Sequence, residues 1–476
     1  MNRQLAARAG IPTIIAGAAG LYLGALDFSI NVSLPTMRDS LGESLITVQW
    51  IIVIYHASRS GSGFGVGAFG DRFGLKWLFL AGVILNSVAV GLIALQTDLA
   101  GIVALRVMQG VGVTILFTVG PALVARAFGP HRRGAALGVT IAAVGAGQVT
   151  ATLGGGWLVQ TIGWEAIFWA RVPIGAAVLL IGMFMIQPFV AAATRRSVGA
   201  FNWAGAGLLF LALFMFALSV SIARIDGWSS AGTVGTGALF VAFAALFVYR
   251  ERRIENPLVP SELLRMPPFL AGAASNLIAT IAYFLMWFLF PFYVVDTLGR
   301  SPVALGAMLA TMGASTFVGS TAGGWLADRL GDRVMTVVGA LGTAGGLLWM
   351  SQISDTASLP EVALRAGAVG LAFGIHQSSV YALTMRHVAG DRAGAASATL
   401  AVTQTIGTVV SVSIGTMIFS WRERLALEEG LSEAGAFIDA YGDAFLAAAG
   451  VALIAGVIVI GKRATKGSET RGDEDA

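Results

Sequence analysis

Apolar stretches of about 20 residues follow one another along almost the whole chain. Each is long enough to cross about 30 Å of hydrocarbon as a helix. In that solvent the backbone must satisfy its own hydrogen bonds, which leaves helices or closed barrels. These stretches are too long and too rich in glycine for the alternating strands of a barrel. About fourteen spans can be read. The first six lie at 11–35, 48–67, 77–95, 99–125, 134–160 and 164–189. A pair follows at 201–223 and 231–249, and six more lie at 269–295, 302–326, 334–352, 362–385, 394–421 and 444–461. The connections leave no room for a separate soluble domain.

Composition narrows the function classes. Of 476 residues only 12% are charged, against about 25% in a soluble domain. There is no cysteine, which excludes disulfides, thiol nucleophiles and thiolate metal sites. His56, His131, His376 and His387 are too scattered to form a metal cluster. No nucleotide loop or nucleophile–base motif appears. The chain therefore reads as neither an enzyme, a cofactor carrier nor a nucleic-acid binder.

Charge placement sets the orientation. With an even number of spans both termini share one side. That side collects most of the 30 basic residues, whereas only Arg38, Arg224, Arg300, Arg422 and Arg424 fall opposite. The excess marks the cytoplasmic face and puts both termini there. The first apolar stretch runs into Asp27-Phe-Ser-Ile-Asn31 rather than a small-residue cleavage site, so no signal peptide is read. The segment 422–443 is charged and suits an amphipathic surface helix. The tail from 463 is mostly polar.

The chain also repeats itself. Gly67-Ala-Phe-Gly-Asp71-Arg72-Phe-Gly74 returns about 257 residues later as Gly324-Trp-Leu-Ala-Asp328-Arg329-Leu-Gly331. Leu105-Arg106 returns as Leu364-Arg365 at nearly the same offset. Duplicated halves of six spans each follow, over 1–192 and 267–462, with a two-helix insertion and its linkers at 193–266 and a cytoplasmic tail at 463–476.

These motifs resemble the major facilitator superfamily, in its fourteen-span drug:proton antiporter branch. Leu105-Arg106-Val-Met-Gln109-Gly110-Val-Gly112 is similar to the fourth-span motif. Leu26-Asp27-Phe-Ser-Ile-Asn31-Val-Ser-Leu-Pro35 is similar to the first-span motif of the branch. Trp164-Glu-Ala-Ile-Phe168-Trp-Ala-Arg171-Val-Pro173 resembles the sixth-span motif, and Asn256-Pro-Leu-Val-Pro260 is also typical of it. The resemblance implies an all-α polytopic protein of two pseudo-symmetric six-helix bundles plus an inserted pair. It implies a monomeric plasma-membrane exporter (the inner membrane in a Gram-negative cell) of small organic or drug-like molecules, driven by protons through alternating access. It also implies that the loop around Gly67, Asp71, Arg72 and Gly74, with Asp328 and Arg329 in the second copy, is a conformational latch; the alternative is an ordinary charged hairpin.

Three departures matter. The fifth span holds Gly138, Gly145, Gly147 and Gly154-Gly-Gly156 but lacks the Gly-Pro step of proton exchangers; the alternative role of its glycines is packing against a neighbour. The sixth span has Glu165-Ala166 and Arg171 where the family has Arg-Trp and Asn. The tenth span, 302–326, has no acid, unlike that of cation exporters.

Ionisable groups inside a membrane are costly and mark function. Asp27, His56 and Arg106 sit at similar depths and are read as the proton-coupling set. Asp27 is the leading carrier, its alternative a permanent structural pair with an arginine. His56 is either a second titrating group or a packing residue. Arg59, one turn deeper, is either a substrate contact or the partner of Asp27. Asn31, Gln109, Gln148, Arg171, Trp287 and Tyr293 complete the expected substrate lining. With one deep acid against Arg59, Arg106 and Arg171, the cavity favours neutral or anionic amphiphiles over dications. A facilitator or proton symporter importing an organic anion is the rival reading.

Overall fold

The computed structural model describes residues 3–128, 133–186, 202–254, 257–258, 261–386, 388 and 393–460, without side chains at 3–10, 64–73, 126, 128, 133–137, 203, 224–225, 261, 264 and 393–395. All regular structure among the described residues is helical. In chain order the helices are α1 (Arg3–Ala25), α2 (Ser29–Leu41), α3 (Leu45–Val48), α4 (Trp50–Phe73), α5 (Leu75–Ile93) and α6 (Leu99–Phe128). Next come α7 (Arg133–Thr161), α8 (Ala166–Trp169), α9 (Arg171–Met185), α10 (Trp203–Asp226), α11 (Ala231–Glu251) and α12 (Ser261–Leu264). The last six are α13 (Pro267–Phe292), α14 (Pro302–Leu330), α15 (Asp332–Met350), α16 (Leu359–Met385), α17 (Ala393–Glu428) and α18 (Glu433–Ile460). Among the described residues, eleven are long and apolar enough to cross a membrane, counting α1 with α2. The long helices α4, α7 and α16 fall outside that set; serine, glycine and polar side chains dilute them.

Two breaks shape the helices near the cavity. A 3₁₀ turn at Leu26–Phe28 interrupts the first span and separates α1 from α2, a feature that often marks a hinge. Beyond α13 a π-turn runs over Tyr293–Thr297. Pro291 precedes it and cannot donate the helical bond to residue 287. Starts are built from serine caps: Ser301 and Ser358 accept from the backbone N–H groups of Ala304 and Glu361.

The repeated motif has the same local form in both copies. Gly74, between α4 and α5, has φ +82° and ψ 144°. Gly331, between α14 and α15, has φ +94° and ψ 137°. Only glycine occupies that region without strain. Both copies reverse the chain from one helix into the next.

α1 packs on α6, α7 and α9; α4 and α5 pack on α6. α14 and α15 pack on α16, α13 on α17, and α18 on α13, α15 and α17. The broadest contacts joining these groups are α7 with α14 and α4 with α17; α2 also meets α13 and α14. The α7–α14 contact is close because Cβ atoms are missing. A Cβ at Gly306 would overlap the Thr152 carbonyl, and one at Gly156 the Pro302 carbonyl. α10 and α11 form a hairpin, and only α10 is seated, against α4 and α17. α11 is buried over just 6% of its apolar window, so it lies at the periphery. Large apolar side chains such as Trp77, Phe184 and Val241 face outward, as a lipid-facing surface requires.

The charged segment 422–443 is not a separate surface helix. α17 continues to Glu428 and α18 starts at Glu433, so it forms their ends. Arg422 there pairs with Asp439 and Asp443.

Candidate functional site

The break in the first span exposes backbone that an unbroken helix would satisfy, and the site grows from it. The Leu26 carbonyl accepts from Ser29 Oγ at 2.9 Å and from Arg171 Nη2 at 2.6 Å. The turn places Asp27 inward, 7% exposed. Its Oδ1 accepts from Arg106 Nη1 at 2.7 Å, Gln109 Nε2 at 2.9 Å and Arg171 Nη1 at 3.0 Å. Oδ2 accepts from Arg106 Nη2 at 3.2 Å. The Arg106–Asp27 contact is the bidentate geometry that fixes both partners.

Both arginines bond this turn: Arg106 through both Nη atoms, and Arg171 through Nη1 and Nη2, with its Nε left without a hydrogen bond among the described residues. Arg106 also donates from Nε to the Ile51 carbonyl at 3.0 Å and from Nη1 to Gln109 Oε1 at 2.7 Å. Its guanidinium lies 4.0 Å from the Tyr55 ring centroid. Arg171 also donates to Ser29 Oγ at 2.5 Å and rests over Phe168. A carboxylate buried alone would be very costly; here two guanidinium groups compensate it. Three elements, α6, α9 and the turn, converge on one acid.

A cavity of about 670 Å³ opens beside this cluster, within the size range of small-molecule sites. Asp27, Asn31, His56, Arg59, Arg106 and Gln148 reach it from one side; Tyr283, Trp287, Phe373, Gln377 and Gln404 reach it from the other. His56 Nδ1 donates to the Ile52 carbonyl at 3.0 Å. Ring contacts bridge the two walls at Phe28–Trp287, 5.3 Å apart, and His56–Phe284, 6.2 Å apart. Tyr283 stacks on Phe373 at 3.8 Å and its hydroxyl is 2.9 Å from Thr316 Oγ1.

The expected site residues fall into four places. Asp27, Arg106, Gln109 and Arg171 are brought together. Gln109 and Arg171 stand behind the cavity wall and act on Asp27 rather than on the open space. Asn31, His56, Arg59, Gln148 and Trp287 line the cavity. Tyr293 does not; it is buried and donates to the Ser354 carbonyl at 2.7 Å. Arg59 is not the partner of Asp27: among the described residues its guanidinium faces only rings, Tyr55 at 5.5 Å and Phe117 at 5.4 Å. The side chains of Gly67, Asp71 and Arg72 lie outside the described residues. Asp328 and Arg329 are exposed, and Arg329 sits on Trp325 at 3.7 Å. The ion pair near that turn is Asp332 with Arg386, at 2.7 Å.

One long-range pair within the chain was hidden in the sequence. Arg38, at the end of α2, donates to both oxygens of Asp296 on the π-turn, at 2.6 and 3.2 Å. It also lies 5.4 Å from the Phe292 ring. Nearby, the Val303 N–H donates to Gln160 Oε1 at 3.4 Å. The cavity lining stops short of this end, at Asn31 and Phe288, and extends the other way to Gly63, Pro121 and Ser397. The only prior signal was that Arg38 is one of few basic residues on its side of the chain.

The sequence pattern of the Major Facilitator Superfamily matches residues 16–412. A tetracenomycin C resistance and export protein of Streptomyces glaucescens is 32% identical over 361 residues, covering 76% of this chain and 66% of that protein. A multidrug resistance protein, Stp, of Mycobacterium tuberculosis is 27% identical over 420 residues, covering 87% of this chain and 77% of that protein. Among solved structures, a bacterial homolog of the human lysosomal transporter Spinster, inward-facing and unoccupied, matches with a TM-score of 0.66. That match covers 96% of this chain and 97% of the other at 15% identity, a likeness of fold.

Proposed function

The chain belongs to the major facilitator superfamily, and from that premise we propose that it is a proton-driven exporter of small organic molecules. As a member of the family it is a multi-pass membrane transporter and not an enzyme. Relatives named for drug and antibiotic resistance support export as the direction. Our reading keeps fourteen spans, two six-helix bundles over 1–192 and 267–462, and a two-helix insertion at 193–266. Both termini face the cytoplasm, and the protein works as a monomer in the plasma membrane.

The observation that carries the proposal is the Asp27 carboxylate: it edges a ligand-sized cavity and sits on a helix break between two arginines. A proton arriving on Asp27 removes the charge that Arg106 and Arg171 hold. Their grip on the turn then weakens, and α2 is free to tilt about residues 26–28. α2 is 13 residues long, about 20 Å at 1.5 Å per residue. It links the acid at one end to Arg38 at the other, so a tilt strains the Arg38–Asp296 pair. That is a mechanical route from proton binding to the outer closure. With that closure shut, the cavity is accessible from the cytoplasm. His56, at the cavity edge, is the second group of the proton path.

The test is transport in proteoliposomes. An imposed pH gradient, acidic on the outer face, should drive outward substrate movement, and Asp27→Asn should abolish the gradient dependence. Undiminished gradient-driven transport by Asp27→Asn would remove Asp27 from this role. Inward substrate movement along with protons would instead support the importer of organic anions.

A further inference from the structure

We propose that the cavity takes an organic anion with an aromatic body, and that Arg59 holds the acid group; this rests on the transport reading above. The charges reaching the cavity are Asp27, Arg59 and Arg106, with His56 beside them. Asp27 is answered twice, by Arg106 and by Arg171 behind the wall. Arg106 spends Nε and both Nη atoms on Ile51, Gln109 and Asp27. Neither it nor Asp27 has charge to offer a ligand.

Arg59 differs. Among the described residues it makes no hydrogen bond or ion pair; Tyr55 and Phe117 lie beside its guanidinium at 5.5 and 5.4 Å. A guanidinium carries five N–H donors, and an arginine within a span needs a counter-charge or an acceptor. Ring contacts supply neither. Among the described residues, the open side of its guanidinium is the cavity it lines, where an acceptor can reach it. One turn away, His56 donates through Nδ1 to Ile52, which leaves Nε2 of the neutral ring as an acceptor for a ligand hydroxyl or amide. The facing wall is uncharged and aromatic: Tyr283, Phe284, Trp287, Phe288 and Phe373. An acid group on Arg59 and a flat apolar body against that wall use both surfaces at once. A cationic molecule of the same shape meets an uncompensated positive charge.

The test uses three probes of one shape: naphthoate, its uncharged amide and naphthylmethylamine. Binding to purified protein in nanodiscs is read by equilibrium dialysis. Wild type should hold the carboxylate about tenfold tighter than the amide, equivalent to about 1.4 kcal/mol, and the amine most weakly. Arg59→Gln should bring the carboxylate-to-amide ratio close to one, and Arg59→Lys should keep part of it; an unchanged melting temperature confirms folding. Amine binding as tight as carboxylate binding, no carboxylate binding by wild type, or an unchanged ratio in Arg59→Gln would each overturn the assignment. The last result would mean a merely hydrated arginine. The transport reading fails separately, if the carboxylate binds but no pH gradient moves any probe across proteoliposomes.

Discussion

Arg106 and Arg365 come from the repeated Leu-Arg pair, each near the start of its helix, and their surroundings have diverged. Arg106 is fully buried and closes on Asp27, a residue of another span. Arg365 turns to Glu361 on its own helix, at 2.5 Å, and to the Trp349 carbonyl. The same division runs through the cavity. Among the described residues, the first half supplies the charged side chains that reach it, and the second half supplies aromatic rings, amides and hydroxyls. On the proposed reading, a repeated motif with diverged polarity separates two tasks: one wall would hold the proton and the counter-charge, and the other would present shape. A charge buried on both walls would have to be compensated twice.

The largest effect should come from breaking the charged wall at its centre. Asp27→Asn leaves Arg106 and Arg171 buried and facing one another without an anion. Removing one partner of a buried pair costs about 3–5 kcal/mol, so the variant should melt well below wild type in detergent. Gradient-driven transport should fall to background. Fold and function can be separated by pairing Asp27→Asn with Arg171→Gln, which returns the cluster to its wild-type net charge. Recovery of the melting temperature without recovery of gradient-driven transport is the expected result. If transport returns as well, Asp27 is a structural pair and the division of labour between the walls collapses.

A smaller effect is expected where the halves meet on the outer side. Arg38 and Asp296 are partly exposed, at 22% and 26% for their side chains, and exposed pairs contribute about 1 kcal/mol or less. Asp296→Asn should therefore raise outer opening only about fivefold. The chain has no cysteine, so one introduced thiol reports cleanly. Asn31→Cys puts it at the cavity end nearest the closure. Its labelling by a membrane-impermeant maleimide from outside should quicken by that factor in Asp296→Asn. An unchanged rate would assign the closure to the Gly156–Gly306 contact of α7 with α14.

Depth along each span was legible in the sequence; direction around it was not. Apolar length located the helices, because hydrocarbon thickness sets it, but missed the polar ends: α17 runs to Glu428 and α18 starts at Glu433, inside the segment read as a surface helix. Asp27, His56 and Arg106 were read at one depth, and all three reach the cavity. Arg171 and Gln109 were read as cavity lining, yet they point from behind at Asp27. Tyr293, two residues beyond Pro291 and on the π-turn, points at Ser354. Facing depends on helix rotation and crossing, which packing between distant segments decides. The Arg38–Asp296 pair, 258 residues apart, was illegible for that reason. The repeated motif was legible as a hairpin between helices; the positive φ of Gly74 and Gly331 that makes each turn was not read from it.

The smallest effect on transport should come from the neutral wall, and it sharpens the comparison because it should be small. Thr316 Oγ1 donates to the Met312 carbonyl at 2.9 Å. In the Tyr283–Thr316 contact the tyrosine hydroxyl is therefore the donor. Tyr283→Phe removes that donor and leaves Thr316 with its own bond intact, but it also takes away the oxygen that accepts from the Trp287 indole N–H. The cost should stay within about 1–3 kcal/mol, the loss of two neutral hydrogen bonds with one donor left unpaired. The stack on Phe373, at 3.8 Å and nearly parallel, is kept by phenylalanine. Transport in proteoliposomes should then stay within about fivefold of wild type. Its pH midpoint should not move, since among the described residues this wall carries no acid or base that reaches the cavity. A shifted midpoint would draw Tyr283 into the proton step and give both walls a share of the same task.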